Sequence, residues 1–294
     1  MCRWIAYQGD QIYLDTLLTK PNHSLLDQSI NARHLRLQTS PLAHQFRDHE
    51  FPTNGDGFGM AWVGPRGTLG QFHEVTPAWD SQNLRSLAEQ ISAPVFLAHV
   101  RAAPGGTISQ QNCHPFVQDG WMFQHNGNVG GFDLIRRELC LEIAPRYFSQ
   151  LRGNSDTEVC FYLALTYGLA KDPVTALARL RDRIELARTE NGIQAPFTAT
   201  MAATSGNGTY ALRTSSVPAK GQTPTWASPT LYFAHGPIQI RLHDGSQERL
   251  PENAQLVVSE PVVLDFSDRT WQEVPDQSVT TFQLGRPPEH VALT

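Results

Sequence analysis

The sequence predicts an α+β layered domain, and three observations carry that expectation. Strand-like segments fall into two groups, one in each half of the chain. Two consecutive helical patterns lie between the groups. No repeat and no break in composition divides the 294 residues into separate units. A chain of this length can bury a substantial core. Its 40% hydrophobic and 17% charged residues suit a folded globular protein.

The elements follow in order. Cys2 to Tyr7 is apolar and loosely alternating, so the chain is expected to begin inside a sheet. Residues 20–55, rich in Pro, Asn, His and Ser, read as a loop-heavy segment with a short helix. The turn Asn54-Gly55-Asp56-Gly57 leads into a strand over Phe58 to Val63. Asp80 to Gln90 has helical spacing, with Leu84 and Leu87 on one face, and Val95 to Val100 and Trp121 to Gln124 read as strands. Ser155-Asp156-Thr157-Glu158 fits a capping box before the apolar stretch Val159 to Ala170. A second helix starts with Asp172 as N-cap and Pro173 in its first turn, and its stripe is Val174, Leu177, Leu180, Ile184 and Ala187. Phe197 to Ala203 and Thr209 to Arg213 form a hairpin around Ser205-Gly206-Asn207-Gly208. Leu231 to His235 and Leu256 to Val258 add strands, Ser215 to Pro229 reads as a surface loop, and residues 285–294 as a loosely attached tail.

The net charge of −5 and the lack of a Lys/Arg block speak against nucleic acid or an acidic membrane as the main partner. No apolar run approaches the roughly 20 residues needed to span a bilayer. The first residues lack a secretory pattern, so a cytoplasmic location is expected. Cys2, Cys113, Cys140 and Cys160 are far apart, which suggests neither a disulfide framework nor a zinc knuckle. The scattered histidines offer no metal-ligand spacing, so neither a metal nor another cofactor is expected.

Cys2 stands apart because Met1 can be trimmed when the following side chain is small. The exposed residue then carries a thiol and an α-amine of pKa about 7.7–8.0. Nucleophile and base would sit on one residue. Acyl transfer also needs donors for an oxyanion. Asn126 and Gly127, in His125-Asn126-Gly127 just after a strand, offer a side-chain amide and a backbone N–H, although an ordinary Asn-Gly turn has the same sequence. Arg101 follows a strand and suits a substrate carboxylate, or it is a solvated surface arginine. Asp156 suits a substrate ammonium, or it only favours the helix dipole.

Taken in order, Cys2, His99-Val100-Arg101-Ala102-Ala103-Pro104-Gly105-Gly106, Asn112-Cys113-His114-Pro115-Phe116, His125-Asn126-Gly127 and Ser155-Asp156-Thr157-Glu158 resemble the class II glutamine amidotransferases. The resemblance runs from Cys2 to about Ala170. It implies the four-layer αββα sandwich of the N-terminal-nucleophile hydrolases and a single glutamine amidotransferase type-2 domain over residues 2–284. It also implies Cys2 as nucleophile, Asn126 and Gly127 as oxyanion hole, Arg101 on the substrate carboxylate and Asp156 on its ammonium. Many members carry Thr where this chain has Pro104, which removes one hydroxyl from the carboxylate site.

Asn54-Gly55-Asp56-Gly57-Phe58-Gly59, Pro77-Ala78-Trp79, Asn83-Leu84 and Ser259-Glu260-Pro261 resemble the stand-alone branch of that family. That branch includes the fungal glutathione-degrading amidotransferase subunit and the ergothioneine-pathway γ-glutamyl hydrolase. The resemblance implies hydrolysis of glutamine or a glutathione-like γ-glutamyl compound through a γ-glutamyl thioester. The alternatives are a glutaminase subunit supplying ammonia to a separate partner synthase, and a non-catalytic γ-glutamyl sensor. A different N-terminal-cysteine hydrolase is disfavoured, because Arg101 with Asp156 suits an amino-acid head group.

Overall fold

The computed structural model describes residues 2–32, 53–103, 107–216, 228–263 and 270–293. The chain enters strand β1 (Arg3–Tyr13) directly, and the first seven residues of that strand are buried. Helices α1 (Asp15–Leu18) and α2 (Leu25–Ile30) follow. Ser24 and Asp27 close the start of α2 with a capping box. Strands β2 (Phe58–Val63) and β3 (Leu69–Glu74) form a hairpin, followed by α3 (Gln82–Gln90) and β4 (Ser92–Val100). The middle of the chain supplies β5 (Phe116–Gln118), β6 (Trp121–Val129), α4 (Phe132–Glu142), α5 (Pro145–Phe148), α6 (Asp156–Thr166) and α7 (Pro173–Glu190). After the hairpin β7 (Phe197–Thr204) and β8 (Thr209–Ser215) come β9 (Tyr232–His235), β10 (Gln239–Arg241), β11 (Gln247–Arg249) and β12 (Gln255–Val258). The last strands are β13 (Gln272–Glu273), β14 (Ser278–Phe282) and β15 (Glu289–Ala292).

Two antiparallel sheets carry the architecture. One runs in the order β13-β9-β12-β1-β4-β2-β3, the other β15-β14-β8-β7-β6-β5, and β10 and β11 form a small separate ribbon. Because side chains alternate along a strand, each sheet has two apolar faces to bury. On β1, Ile5 and Tyr7 pack under α1, α2 and α3 with Leu17, Leu25 and Leu84. Trp4 and Ala6 point the other way, into a cluster with Met122, Ala202 and Ala211 of the second sheet. On that second sheet, Phe123, Ala199 and Met201 face α4, α6 and α7. Helices, sheet, sheet and helices therefore stack as a four-layer αββα sandwich, as the resemblance implied.

Polar groups between the sheets fix their relative position. Gln124 Nε2 donates to Ile5 O at 3.1 Å, and Trp4 Nε1 donates to Thr200 Oγ1 at 3.2 Å. Both bonds join buried groups, so each side satisfies a donor or acceptor that would otherwise be orphaned.

The strands expected at residues 58–63, 197–203, 231–235 and 256–258 are present, as are the two central helices. Three expectations need correction. His125-Asn126-Gly127 is no turn: it continues β6, with Gly127 paired to Ala199. Gly127 is required there for a local reason. Its φ is 152°, and an added Cβ would sit 1.9 Å from Thr198 O. The tail from residue 285 carries β15, which pairs with β14 at Val279↔Val291. The Ser155 capping box is one-sided: Ser155 Oγ accepts from Glu158 N at 3.2 Å, while the Glu158 carboxylate accepts from Arg152 N and Gly153 N at 2.7 and 2.9 Å. Glu158 thus orders the loop leading into α6 rather than the cap itself. Most of the expected loop at 215–229, the part of the 20–55 segment from 33 to 52, and Pro104 lie outside the described residues.

Candidate active site

Alternation along the strands turns Cys2 and Asn126 toward the gap between the sheets from opposite sides. Cys2 has the same parity as Trp4 and Ala6, which face that gap. It lies beside the end of β4, because Arg3 pairs with Val100. The half-buried Cys2 thiol touches the next turn of chain: Ala102 N donates to Sγ at 3.3 Å, and Sγ donates to Ala102 O at 3.4 Å. Burial raises the Cys2 pKa, opposed by the Ala102 N–H and by the charges of Arg101 and Arg3. The thiol therefore stays protonated at neutral pH and needs a base to become a nucleophile.

Arg101 is no solvated surface arginine. It is 7% exposed, and its Nη1 donates to Thr107 O at 3.2 Å. Its backbone is clamped by the turn before β2, with Arg101 N on Gly57 O at 2.8 Å and Asp56 N on Arg101 O at 3.0 Å. Asp56 Oδ2 accepts from Ala103 N at 2.7 Å, which holds the segment that lines Cys2. Gly57 allows this approach: its φ is 107°, and a Cβ there would meet Cys113 Sγ and Glu74 O at 2.8 Å. The sequence marks residues 54–57 as a turn, but nothing in it assigns Asp56 to residue 103.

Asn126 lies across the gap on β6, with the parity of Met122 and Gln124. Among the described residues its side-chain amide has no hydrogen-bond partner, which leaves both N–H groups for a ligand. A two-bond path ties it to the cysteine strand. Trp4 Nε1 donates to Thr200 Oγ1, and Thr200 Oγ1 donates to Asn126 O at 3.4 Å. Asp156 meets the far end of the same strand. Its Oδ2 accepts from Val129 N at 3.0 Å and its Oδ1 from Thr157 N at 2.7 Å. Ser155, not Asp156, caps α6. Asp156 is half-buried and keeps free lone pairs, so it can still accept from an ammonium. Cys2 thus meets the Arg101–Ala102 segment directly, Asp156 meets the Asn126 strand directly, and Thr200 joins the two pairs.

Three histidines interlock beside these residues. His99 Nε2 lies 3.2 Å from His125 O and 3.1 Å from His114 Nδ1, and His125 Nδ1 lies 3.0 Å from Thr157 Oγ1. Burial, reinforced by the Arg101 charge, lowers the His99 pKa to about 3. Burial also pushes His114 well below the usual range, and it lowers His125 against the opposing Asp156 charge. All three are neutral at neutral pH and make poor proton acceptors there. Among the described residues no group of three His, Cys, Asp or Glu side chains is arranged to hold a metal ion, and no helix is long and apolar enough to cross a membrane.

Comparison with known proteins bears on the family. The family described as glutamine amidotransferases class-II matches residues 39–292. The probable glutamine amidotransferase DUG3 of Saccharomyces cerevisiae is 31% identical over 311 aligned positions, covering 96% of this chain and 82% of that protein. The γ-glutamyl-hercynylcysteine sulfoxide hydrolase of Mycobacterium tuberculosis is 27% identical over 133 positions, covering 44% of this chain and 50% of that one. The solved structure of a glutamine aminotransferase class-II domain protein from Silicibacter pomeroyi is 28% identical, with a TM-score of 0.67 over the whole of both chains. The chain belongs to the class II glutamine amidotransferase family.

Proposed function

We propose that this enzyme hydrolyses the γ-glutamyl amide bond of glutamine or of a glutathione-like γ-glutamyl compound, with Cys2 as an N-terminal nucleophile. The observation that carries the reading is the Cys2 thiol seated on Ala102 N–H beside the buried, clamped Arg101. Arg101 takes the substrate α-carboxylate, and Asp156 takes the α-ammonium. That docks the glutamyl head and presents its γ-carbonyl to Sγ. Removal of Met1 frees the Cys2 amine, the base that the raised thiol pKa calls for.

The amine takes the thiol proton, and sulfur attacks the γ-carbonyl carbon. The Asn126 side-chain N–H and the Gly127 backbone N–H hold the resulting oxyanion. The C–N bond breaks as the ammonium returns its proton to the leaving nitrogen, which leaves a γ-glutamyl thioester. Water then attacks the thioester carbon and gives a proton to the amine. The C–S bond breaks, and glutamate leaves with the thiol restored.

Residues 2–284, with β15 completing the second sheet, act in this reading as one glutamine amidotransferase type-2 domain. A cytoplasmic location fits four cysteines that are all free. A hydrolase of a γ-glutamyl compound is supported by the name of the Mycobacterium tuberculosis relative, and use of glutamine by the name of the yeast one, which leaves a glutaminase serving a separate synthase as the second reading. Assay of the purified protein against glutamine, glutathione and other γ-glutamyl amides tests the choice. Glutamate release from γ-glutamyl thiol compounds without a partner supports the first reading. Glutamine hydrolysis that rises when a co-purifying polypeptide is added supports the second. Ligand binding without product would instead favour a sensor. Cys2→Ala is expected to abolish turnover while the protein stays folded, and full activity in that variant refutes the mechanism.

A further inference from the structure

Behind Cys2, on the helix-covered face of the first sheet, lies a charged group that the mechanism above does not use. The Arg3 side chain is 2% exposed, and its Nε is ion-paired with Glu260 Oε1. Glu260 is fully buried, and its other oxygen, Oε2, lies 3.0 Å from His23 Nε2. Burial raises the Glu260 pKa, but the Arg3 charge and the His23 contact outweigh it and hold the carboxyl below its usual range. Gln28 Nε2 donates to His23 O at 3.0 Å and to Glu260 O at 3.4 Å, which braces the cluster from α2. The next residue back, Ser259, is zipped to β1 at both groups of Trp4: Ser259 N donates to Trp4 O at 3.0 Å, and Trp4 N donates to Ser259 Oγ at 3.1 Å.

Burying a guanidinium and a carboxylate is costly, and apolar side chains of equal volume often stabilise as well or better. What the pair holds is therefore informative. Arg3 Nη1 reaches back to donate to Cys2 O at 2.9 Å. Cys2 precedes the first ladder pair of β1, Arg3↔Val100, so the sheet itself does not fix the torsion on which the thiol and the α-amine turn.

We propose that Arg3, held by Glu260 and His23, is a positioning residue that fixes the Cys2 carbonyl and so aims the thiol and α-amine at the substrate carbonyl. This rests on the reading of Cys2 as nucleophile. The pair acts on the attack geometry through the bond from Arg3 Nη1 to Cys2 O, which sits on the nucleophile residue itself.

The test uses the full-length processed enzyme and separates kcat from KM. Arg3→Met is expected to lower kcat by about 10- to 100-fold, the scale of a nucleophile misplaced by an ångström, with KM within about threefold of the parent. Labelling of Cys2 by a γ-diazoketone analogue of glutamine should slow in parallel. Arg3→Lys, which keeps the charge and one donor, should recover part of both losses. Glu260→Gln keeps hydrogen-bonding atoms toward Arg3 and His23 with nearly the same shape, so it reads the loss of the ion pair in a folded protein. The double variant Arg3→Met with Glu260→Met removes both charges of the pair, and its kcat should match that of Arg3→Met alone if the two act as a unit. Parental kcat in folded Glu260→Gln and in the double variant overturns the proposal, as does a loss confined to KM. Failure of all these variants to fold also overturns it, in favour of a purely structural pair. Activity retained by Cys2→Ala would sink the nucleophile reading itself, whereas an inactive Cys2→Ala beside a fully active double variant removes only this inference.

Discussion

Thr200→Val removes one oxygen from the path that joins the cysteine strand to the oxyanion strand, and its cost can be worked from the contacts. Thr200 is fully buried, and its hydroxyl accepts from Trp4 Nε1 at 3.2 Å and donates to Asn126 O at 3.4 Å. Valine has nearly the same shape, so no cavity opens. Trp4 Nε1 is left as an orphaned donor in a dry interior, at a cost of about 1–3 kcal/mol. The bond to Asn126 O is long and adds little. An unfolding entropy of about 2.1 cal/mol/K per residue over 294 residues gives about 0.6 kcal/mol/K. The expected fall in Tm is then about 2–5 °C by calorimetry. Because Trp4 and Asn126 would no longer be tied, kcat should fall about tenfold with KM little changed. Thr200→Ser keeps the hydroxyl and loses one methyl, so it should cost no more than about 1.5 kcal/mol and keep kcat. Parental Tm and kcat in Thr200→Val would refute the bridge as a link between the two halves of the site.

Other expectations can be checked with the same assays. Arg101→Lys keeps the charge but loses the fork, so KM for glutamine should rise about 10- to 100-fold with kcat less affected; an unchanged KM would remove Arg101 from the carboxylate site. Gly127→Ala forces a Cβ to within 1.9 Å of Thr198 O, so β6 and β7 must part locally and kcat should drop about 100-fold; a soluble, fully active variant would show that the Gly127 N–H is not a donor. The His99 pKa is lowered in the folded state to about 3 from about 6.5 unfolded, so its neutral form supports stability fully above pH 6.5 and that support is lost as pH falls toward 3. The unfolding free energy from urea titrations should therefore fall between pH 7 and pH 4, by up to about 1.4 kcal/mol per pH unit from His99, and His99→Gln should flatten the slope; an equal slope in that variant would contradict the assignment.

The sequence is most legible where an apolar run or a stripe stands between clear turn or cap signals. Phe58 to Val63 and the hairpin around Ser205 to Gly208 are strands packed on both faces, and α7 shows its cap and stripe openly. Elements without a clean stripe were lost. Helix α4 buries Ile135 and Leu139 but leaves Leu134 and Leu141 about 72% exposed, so apolar residues lie on opposite faces and blur the pattern. β15 is exposed at every position and has no apolar alternation to read. β6 appeared to stop at Gln124 because Asn-Gly usually turns a chain. There the polar run is strand, facing a site on one side and Thr157 on the other. For the site, alternation already sets Cys2, Trp4 and Ala6 on one face, but which face looks across the gap depends on a second sheet some 120 residues away. Arg3 and Glu260 are 257 residues apart, and local pattern carries no signal for such a pair.

The histidines explain why the motifs come as short strings rather than single residues. His99 stands two positions before Arg101, and His125 one position before Asn126. His99, from the first sheet, reaches His125 O on the second and His114 in the segment before β5. His125 points away from Asn126, toward Thr157, the neighbour of Asp156. Arg101 and Asn126 thus each have a nearby histidine, and His99 links to both His114 and the His125 backbone. His99 makes both of its contacts through Nε2 and His125 its contact through Nδ1, so neutral imidazoles tie these segments without bringing a charge near Cys2. Lysine or arginine in these positions would add cations beside Arg101, and carboxylates would compete with the substrate for it. Burial keeps the imidazoles uncharged, and that neutrality leaves Arg101 and Asp156 as the charges that the proposed glutamyl head group would meet.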